Sequence, residues 1–208
     1  MSTTSTGGGS GGGGRQWARA DATREALLAA ARAVFSGQGY ADAGIAEIVA
    51  ASGVSVGSLY HHYGGKAGLY LVLWERHTAE QERRATESVA AARAAGEGDP
   101  IRLFVAGARA FLQVCWEDRD IARLFHESEG PTGFSLLRRQ RWRRWTHQNT
   151  RLLRVDEDKR AGQLLVLVLT TVIGEAGREV ATAEDDATAT EIIDEVARIL
   201  VRLARPPA

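Results

Sequence analysis

Apolar side chains return every three or four positions along most of this chain, the period of α-helices with one face turned to a core, and no stretch alternates as a strand would. Asp21 is a candidate N-cap for a first helix whose Leu27, Leu28, Ala31, Val34 and Phe35 share one face, with Gly37 and Gly39 as its stop. A two-turn helix through Ile45, Ile48 and Val49 ends at Ser52-Gly53, where glycine can take the left-handed backbone of a helix C-terminus. Ser55 caps a third short helix that runs through Leu59 and Tyr60 to Gly64-Gly65. A fourth opens at Lys66, aligns Leu69, Tyr70, Leu73, Trp74 and His77, and extends to about Ala95.

Asp99-Pro100 restarts the pattern, with an acidic N-cap and a proline at the first helical position, where its missing N–H costs nothing. Ile101, Phe104, Val105, Ala108, Leu112, Cys115 and Trp116 form the stripe of the next helix, and a short one carries Ile121, Leu124 and Phe125. Gly130-Pro131 separates these from a helix between about Gly133 and Leu153. The segment from Lys159 holds an unbroken run from Leu164 to Leu169, apolar on all sides, so both its faces must be covered. A terminal helix, Asp186 to Ala204, repeats Ile192, Ile193, Val196, Ile199, Leu200 and Leu203 before Pro206-Pro207.

The 208 residues suffice for one large or two small all-helical domains, and the scarcity of proline fits stacked helices. Residues 1–14 are almost wholly Gly, Ser and Thr, with no apolar anchor to offset the entropy of ordering, and are expected to form a mobile tail. Basic and acidic residues number 26 each, so contact with a polyanion must come from a few placed groups and not from a global field. The single cysteine, Cys115, cannot form an internal disulfide, which suggests a reducing, cytoplasmic setting. No signal peptide is visible, and the greasiest run, Leu164 to Ile173, is about half the ~20 residues that cross a bilayer.

The second and third helices, joined by Ser52-Gly53-Val54, have the layout of a helix-turn-helix. The stretch IAEIVAASGVSVGSLYHHYGGK, Ile45 to Lys66, resembles the DNA-binding signature of TetR-type (tetracycline-repressor-like) regulators. The likeness spans roughly Thr23 to Leu73 and includes Phe35 and Gly39-Tyr40; beyond Trp74 only the helical layout is similar. It implies that Ser55, Val56, Gly57, Ser58, Tyr60, His61, His62 and Lys66 face DNA. Chemically, a serine-capped helix with small residues in its first turn can approach a major groove, ring and hydroxyl groups can meet phosphates or base edges, and Lys66 can hold a phosphate. Leu59 should point inward, and Tyr63 reads as a core aromatic.

Two features depart from the resemblance. Gly44 and Ala46 stand where many relatives carry hydroxyl or basic groups, so phosphate capping there falls to backbone amides, and residues 44–65 contain no Arg or Lys for bidentate reading of guanine. Arg15 and Arg19, on the glycine tail, are therefore candidates for a basic arm in the minor groove; the alternative is a tail that touches nothing.

Other patterns fail on context. Gly53-Val54-Ser55-Val56-Gly57 matches a nucleophile elbow, which needs a strand where this chain has a helix. No phosphate loop, paired Glu-x-x-His or other cofactor motif is present, and His126 with Glu127 and Glu129 reads as surface charge, not a metal site. From Gly130 to Val155 seven arginines occur with no acid. A step of about 100° per residue turns Arg138 and Asn149 to the side of Trp142, Trp145, Leu152 and Leu153. An inward Arg138 needs a partner, either an acid such as Glu175 or an anionic ligand in a pocket of Trp74, Phe104, Ala108, Phe111, Trp142 and Trp145.

The expected organisation is a flexible arm (1–20), a helix-turn-helix domain (21–67) and a larger ligand-binding and dimerising domain (68–205). The resemblance implies a homodimer through helices 159–182 and 186–204, a palindromic double-stranded DNA operator, and release by an unidentified small molecule, with no cofactor, metal or membrane partner. The competing expectation is a helical ligand-binding or protein-interaction module that does not bind DNA.

Overall fold

The computed structural model describes residues 12–156 and 158–204, with the side chains of 12–16 outside the description. The helices are α1 (Gly12–Asp42), α2 (Ile45–Ser52), α3 (Val56–Tyr63), α4 (Lys66–Ala94), α5 (Pro100–Glu117), α6 (Arg119–Glu127), α7 (Phe134–Leu152), α8 (Arg160–Ala181) and α9 (Asp186–Ala204). The chain is all-α, with a small N-terminal helical head on a larger helical body. None of these helices is long and apolar enough to cross a membrane.

Most expected boundaries hold, and α1 is the exception. It starts at Gly12 and not at Asp21, so residues 12–20 are helical where a flexible arm was expected. Once a helix is nucleated by its buried face, each further residue costs only propagation, and Arg15 to Ala20 are mostly good helix formers. Residues 1–11 lie outside the described residues. Gly37 is accommodated within α1; the break comes at Gly39, whose φ of 81° and ψ of 170° turn the chain before Tyr40.

Two cores hold the molecule. In the first, Leu27, Ala31 and Phe35 of α1 meet Ile48 of α2, Leu59 of α3 and Leu69, Tyr70 and Leu73 of α4. Burial of each large side chain stabilises the fold by about 1.5–3 kcal/mol. This core does not stop at the head: Ile121, Leu124 and Phe125 of α6 and Phe134 of α7 close it from the body side. Tyr70 is its centre, with ring centroids 4.9 Å from Tyr40, 5.9 Å from Phe35, 5.2 Å from Phe125 and 5.1 Å from Phe134. The second core lies among α5, α8 and α9, around Phe111, Leu112, Cys115, Leu169, Ile173, Val180, Ile193 and Leu200. α5 runs closely along α4 because Gly107 faces Ala85 and Val89; a Cβ there would stand 3.1 Å from Val89.

A polar joint links head to body beside these cores. Arg32 of α1 donates to Asp118 Oδ1 at 2.8 Å and to both oxygens of Asp120, at 2.6 and 2.8 Å. His77 of α4 places Nδ1 3.6 Å from the other Asp118 oxygen. His77 first, and then Arg32, hold the Asp118 carboxyl down at about 2.

Candidate nucleic-acid interface and ligand cavities

The reading surface is made by caps. Gly53 ends α2 with φ 67° and sends its N–H to Val49 O at 3.1 Å, and Ser52 Oγ accepts from Val54 N at 3.2 Å, fixing the turn. Ser55, in extended backbone, accepts from Ser58 N at 3.2 Å and so starts α3 with a paired amide. Leu59 is fully buried, which orients the opposite face outward: Val56 is 51% and Tyr60 53% exposed, with Ser55, Gly57 and His61 exposed and Ser58 and His62 half-buried. A Cβ at Gly57 would meet nothing nearer than Ser55 Oγ at 3.9 Å, so a large object can approach this turn closely. The Tyr60 ring rests on Gly65, whose φ of 128° bends the chain into α4. Tyr63 is structural: its hydroxyl donates to Arg24 O of α1 at 3.0 Å.

The corner between α3 and α4 is tight. A Cβ at Gly68 would fall 1.7 Å from Tyr63 O, so no side chain fits there.

Three expected DNA contacts are placed otherwise. The Lys66 ammonium donates to Tyr40 O at 2.8 Å, Ala41 O at 3.1 Å and Ala43 O at 2.9 Å and sits 4.6 Å from the Tyr40 ring centre. Its three protons are thus used inside the head, closing the loop that Gly39 opens, and none is left for a phosphate. Gly44 N–H, expected to cap a phosphate, donates to Glu47 Oε2 at 3.0 Å; that carboxyl, held below its usual range by Gly44 and then Gln38, would itself repel an anion. Arg19 is exposed on helix α1 and not on a free leash, and the Arg15 side chain lies outside the described residues.

In the body, the structure divides the expected pocket in two. One cavity of about 480 Å³ contains Phe104, Ala108, Phe111 and Trp145 among its walls; a second, of about 150 Å³, contains Trp74, Phe111, Arg138, Trp142 and Trp145. Phe111 and Trp145, with ring centroids 4.5 Å apart, belong to both and form the partition. Asn149 faces inward as expected, its amide donating to Thr170 Oγ1 at 3.1 Å.

The inward arginine is Arg141, not Arg138. Arg138 is exposed, with its guanidinium 6.0 Å from the Phe134 ring centre, and no ion pair to Glu175 forms; Glu175 pairs with Arg178 at 3.2 Å. The Arg141 side chain is only 16% exposed, lies 5.2 Å from the Trp145 ring centre and donates to Gln81 Oε1 at 2.8 Å. The signal was present: Phe134, Leu137, Arg141, Trp145, Asn149 and Leu152 follow helical spacing along one face, and each is buried or half-buried. The small cavity is electropositive. Burial lowers His126 to about 4, with Arg138 adding to the effect, so its imidazole is neutral and the charges that remain are guanidiniums. Cys115 is buried, and desolvation pushes its thiol up to about 12, which makes it a core group and not a nucleophile. Among the described residues no three His, Cys, Asp or Glu side chains are grouped to hold a metal ion.

A capped, outward-facing second helix of a helix-turn-helix, carried on a larger helical body with cavities, defines the class: a DNA-binding type of head joined to a larger helical body. Residues 27–73 match the sequence profile of the bacterial regulatory proteins of the tetR family. HTH-type transcriptional activator FasR of Mycolicibacterium smegmatis is 46% identical over 57 residues, which are 27% of this chain and about a quarter, 26%, of that protein. A TetR-family transcriptional regulator from Pectobacterium atrosepticum is 26% identical over 92% of this chain and 98% of its own, with a TM-score of 0.59. A TetR-like transcriptional regulator from Rhodococcus sp. RHA1 shares the fold over 88% of this chain and 93% of its own, at 22% identity and a TM-score of 0.64. Residues 27–73 are thus of the tetR regulatory type, and the chain as a whole shares the fold of TetR-like regulators.

Proposed function

We propose that this protein regulates transcription by binding a palindromic DNA operator as a homodimer and leaving it when a small molecule enters the body. The observation that supports the DNA contact is the outward face of α3, where a serine cap, an open glycine and exposed Val56, Tyr60 and His61 form one continuous surface. Residues 21–67 serve as the reading head and 68–205 as the ligand-binding and pairing unit. Support for pairing comes from α8, where Leu164, Leu167 and Val168 are exposed, and from Leu203 on α9; a second copy would cover them, and two heads related by a twofold axis suit a palindrome. α4 begins at the head and lines both cavities, so a ligand that prefers one tilt of α4 shifts the separation of the heads. Repression, relieved by ligand, is the expected sign of regulation.

The test is binding of the full chain to DNA from upstream of its own coding region, followed by fluorescence anisotropy. Wild type should bind, and Tyr60→Ala combined with His61→Ala should weaken binding at least about tenfold while circular dichroism stays unchanged. Binding by neither favours a ligand-binding or interaction module that does not contact DNA, and equal binding by both moves the DNA contact away from the α3 face. Deleting residues 1–19 decides the arm: an unchanged affinity and salt slope removes it. Sedimentation of Val168→Glu decides the pairing face, since a dimer undisturbed by that charge is built elsewhere.

A further inference from the structure

Resting on the reading of the body as a ligand-binding unit, we infer that the smaller cavity takes a monocyclic aromatic carboxylate, its ring between Trp74, Trp142 and Trp145 and its carboxylate on the Arg141 guanidinium. Size comes first. About 150 Å³ is the scale of a cavity that accepts a single benzene ring, too small for a drug-sized or long-chain molecule.

The chemistry of the walls then selects an anion. Arg141 donates only through one terminal nitrogen among the described residues, to Gln81 Oε1 at 2.8 Å and weakly to Thr78 O at 3.5 Å. Its Nε is buried with no hydrogen-bond partner, and its ion pair with Glu82 Oε1 is long, at 3.7 Å. Burial draws this guanidinium down to about 10 despite Glu82, which marks a charge that is not fully compensated. Arg138 adds a second guanidinium to the wall and has no hydrogen bond or ion pair among the described residues. Other carboxylates nearby are already matched, Asp118 by Arg32 and Glu175 by Arg178. A planar carboxylate fits the fork of a guanidinium bidentately, and the flat ring attached to it suits a wall that holds three indoles.

The larger cavity suits this ligand less. At about 480 Å³ it is oversized for one ring, its wall sets the carboxylate of Glu82 against the guanidiniums of Arg93 and Arg151, and the Phe111–Trp145 pair stands between it and the smaller cavity. Occupation also has a route outward. The carboxylate competes with Gln81 Oε1 for Arg141, and Gln81 Nε2 contacts His77 Nε2 at 3.0 Å and Cys115 Sγ at 3.3 Å. The ligand thereby acts on the turn of α4 whose His77 faces Asp118 and, through it, Arg32 of the head.

The experiment titrates the full chain, without DNA, with benzoate, neutral benzamide and aliphatic octanoate, read by quenching of tryptophan fluorescence and by calorimetry. Benzoate should bind saturably, at least about tenfold more tightly than either competitor; Arg141→Gln should lose about tenfold, and Arg138→Gln about threefold. Removing an under-compensated buried charge should leave Arg141→Gln folded by circular dichroism. Should it unfold, Arg138→Gln and the benzoate-to-benzamide ratio of wild type decide. Benzoate binding no tighter than benzamide, preference for octanoate, or indifference to both substitutions overturns the assignment. DNA plays no part in these measurements, so loss of the regulatory reading and loss of this ligand class are separately visible.

Discussion

α3 and α7 carry the two candidate sites and are built on opposite plans. α3 offers an outward face with no Lys or Arg, shaped by backbone devices between Gly53 and Gly65: the Gly53 turn, the Ser55 cap and the Gly64-Gly65 exit. α7 turns a guanidinium inward, and its cavity exists only because α4, α5, α6 and α8 converge on it. A surface that reads an external partner can be specified locally, whereas a cavity that discriminates a small molecule has to be assembled from distant parts of the chain.

Four substitutions can break or sharpen that contrast. The largest effect is expected from Gly68→Ala, which places a methyl 1.7 Å from Tyr63 O and should cost more than about 4 kcal/mol in urea unfolding. Because the first core joins α1–α4 to α6 and Phe134, the whole chain should lose stability in one transition. A separate early transition of the head would show that the two parts fold independently.

Lys66→Met should follow, at about 3 kcal/mol, because carbonyls of Tyr40 and Ala43 lose a charged donor in a partly buried loop. If Lys66 instead served DNA, stability would hold while the salt slope of DNA binding fell by about one.

Acid comes next. Asp118 titrates at about 2 in the folded protein and near 4 when unfolded, so falling pH puts protons preferentially on the unfolded chain. Wild type should lose about 2 kcal/mol from this group between pH 4 and pH 2, and Asp118→Asn should show a correspondingly shallower fall in thermal denaturation across that window. Parallel curves would mean that the joint between head and body does not depend on this charge. The smallest effect belongs to Ser55→Ala, about 1 kcal/mol from one cap, measured by the urea midpoint. A DNA affinity that falls much further than stability would indicate that the serine also touches the duplex.

What the sequence disclosed follows the same division. Gly53, Ser55 and Leu59 are legible because each acts within a turn or two of its own position, and the motif at Ile45 to Lys66 is dense with such signals. Lys66 misleads because its partners, the carbonyls of residues 40, 41 and 43, lie a full helix-turn-helix away in sequence and no pattern announces them. Gly44 misleads because its amide is taken by Glu47, three residues on, a pairing that only the geometry of the helix start reveals. In α7 helical spacing puts Arg138 and Arg141 near the same face, and only packing against Gln81 and Trp145 selects Arg141 as the inward one. The division of the cavity by Phe111 and Trp145 joins residues 34 apart and has no local signal at all.

The absence of cations from residues 44–65, together with the internal use of Lys66, bears on how such a head searches a chromosome. Attachment to arbitrary duplex is chiefly electrostatic, and this surface gives it little to hold. For a head of this kind, bulk genomic DNA would be a weak competitor for whatever duplex it prefers.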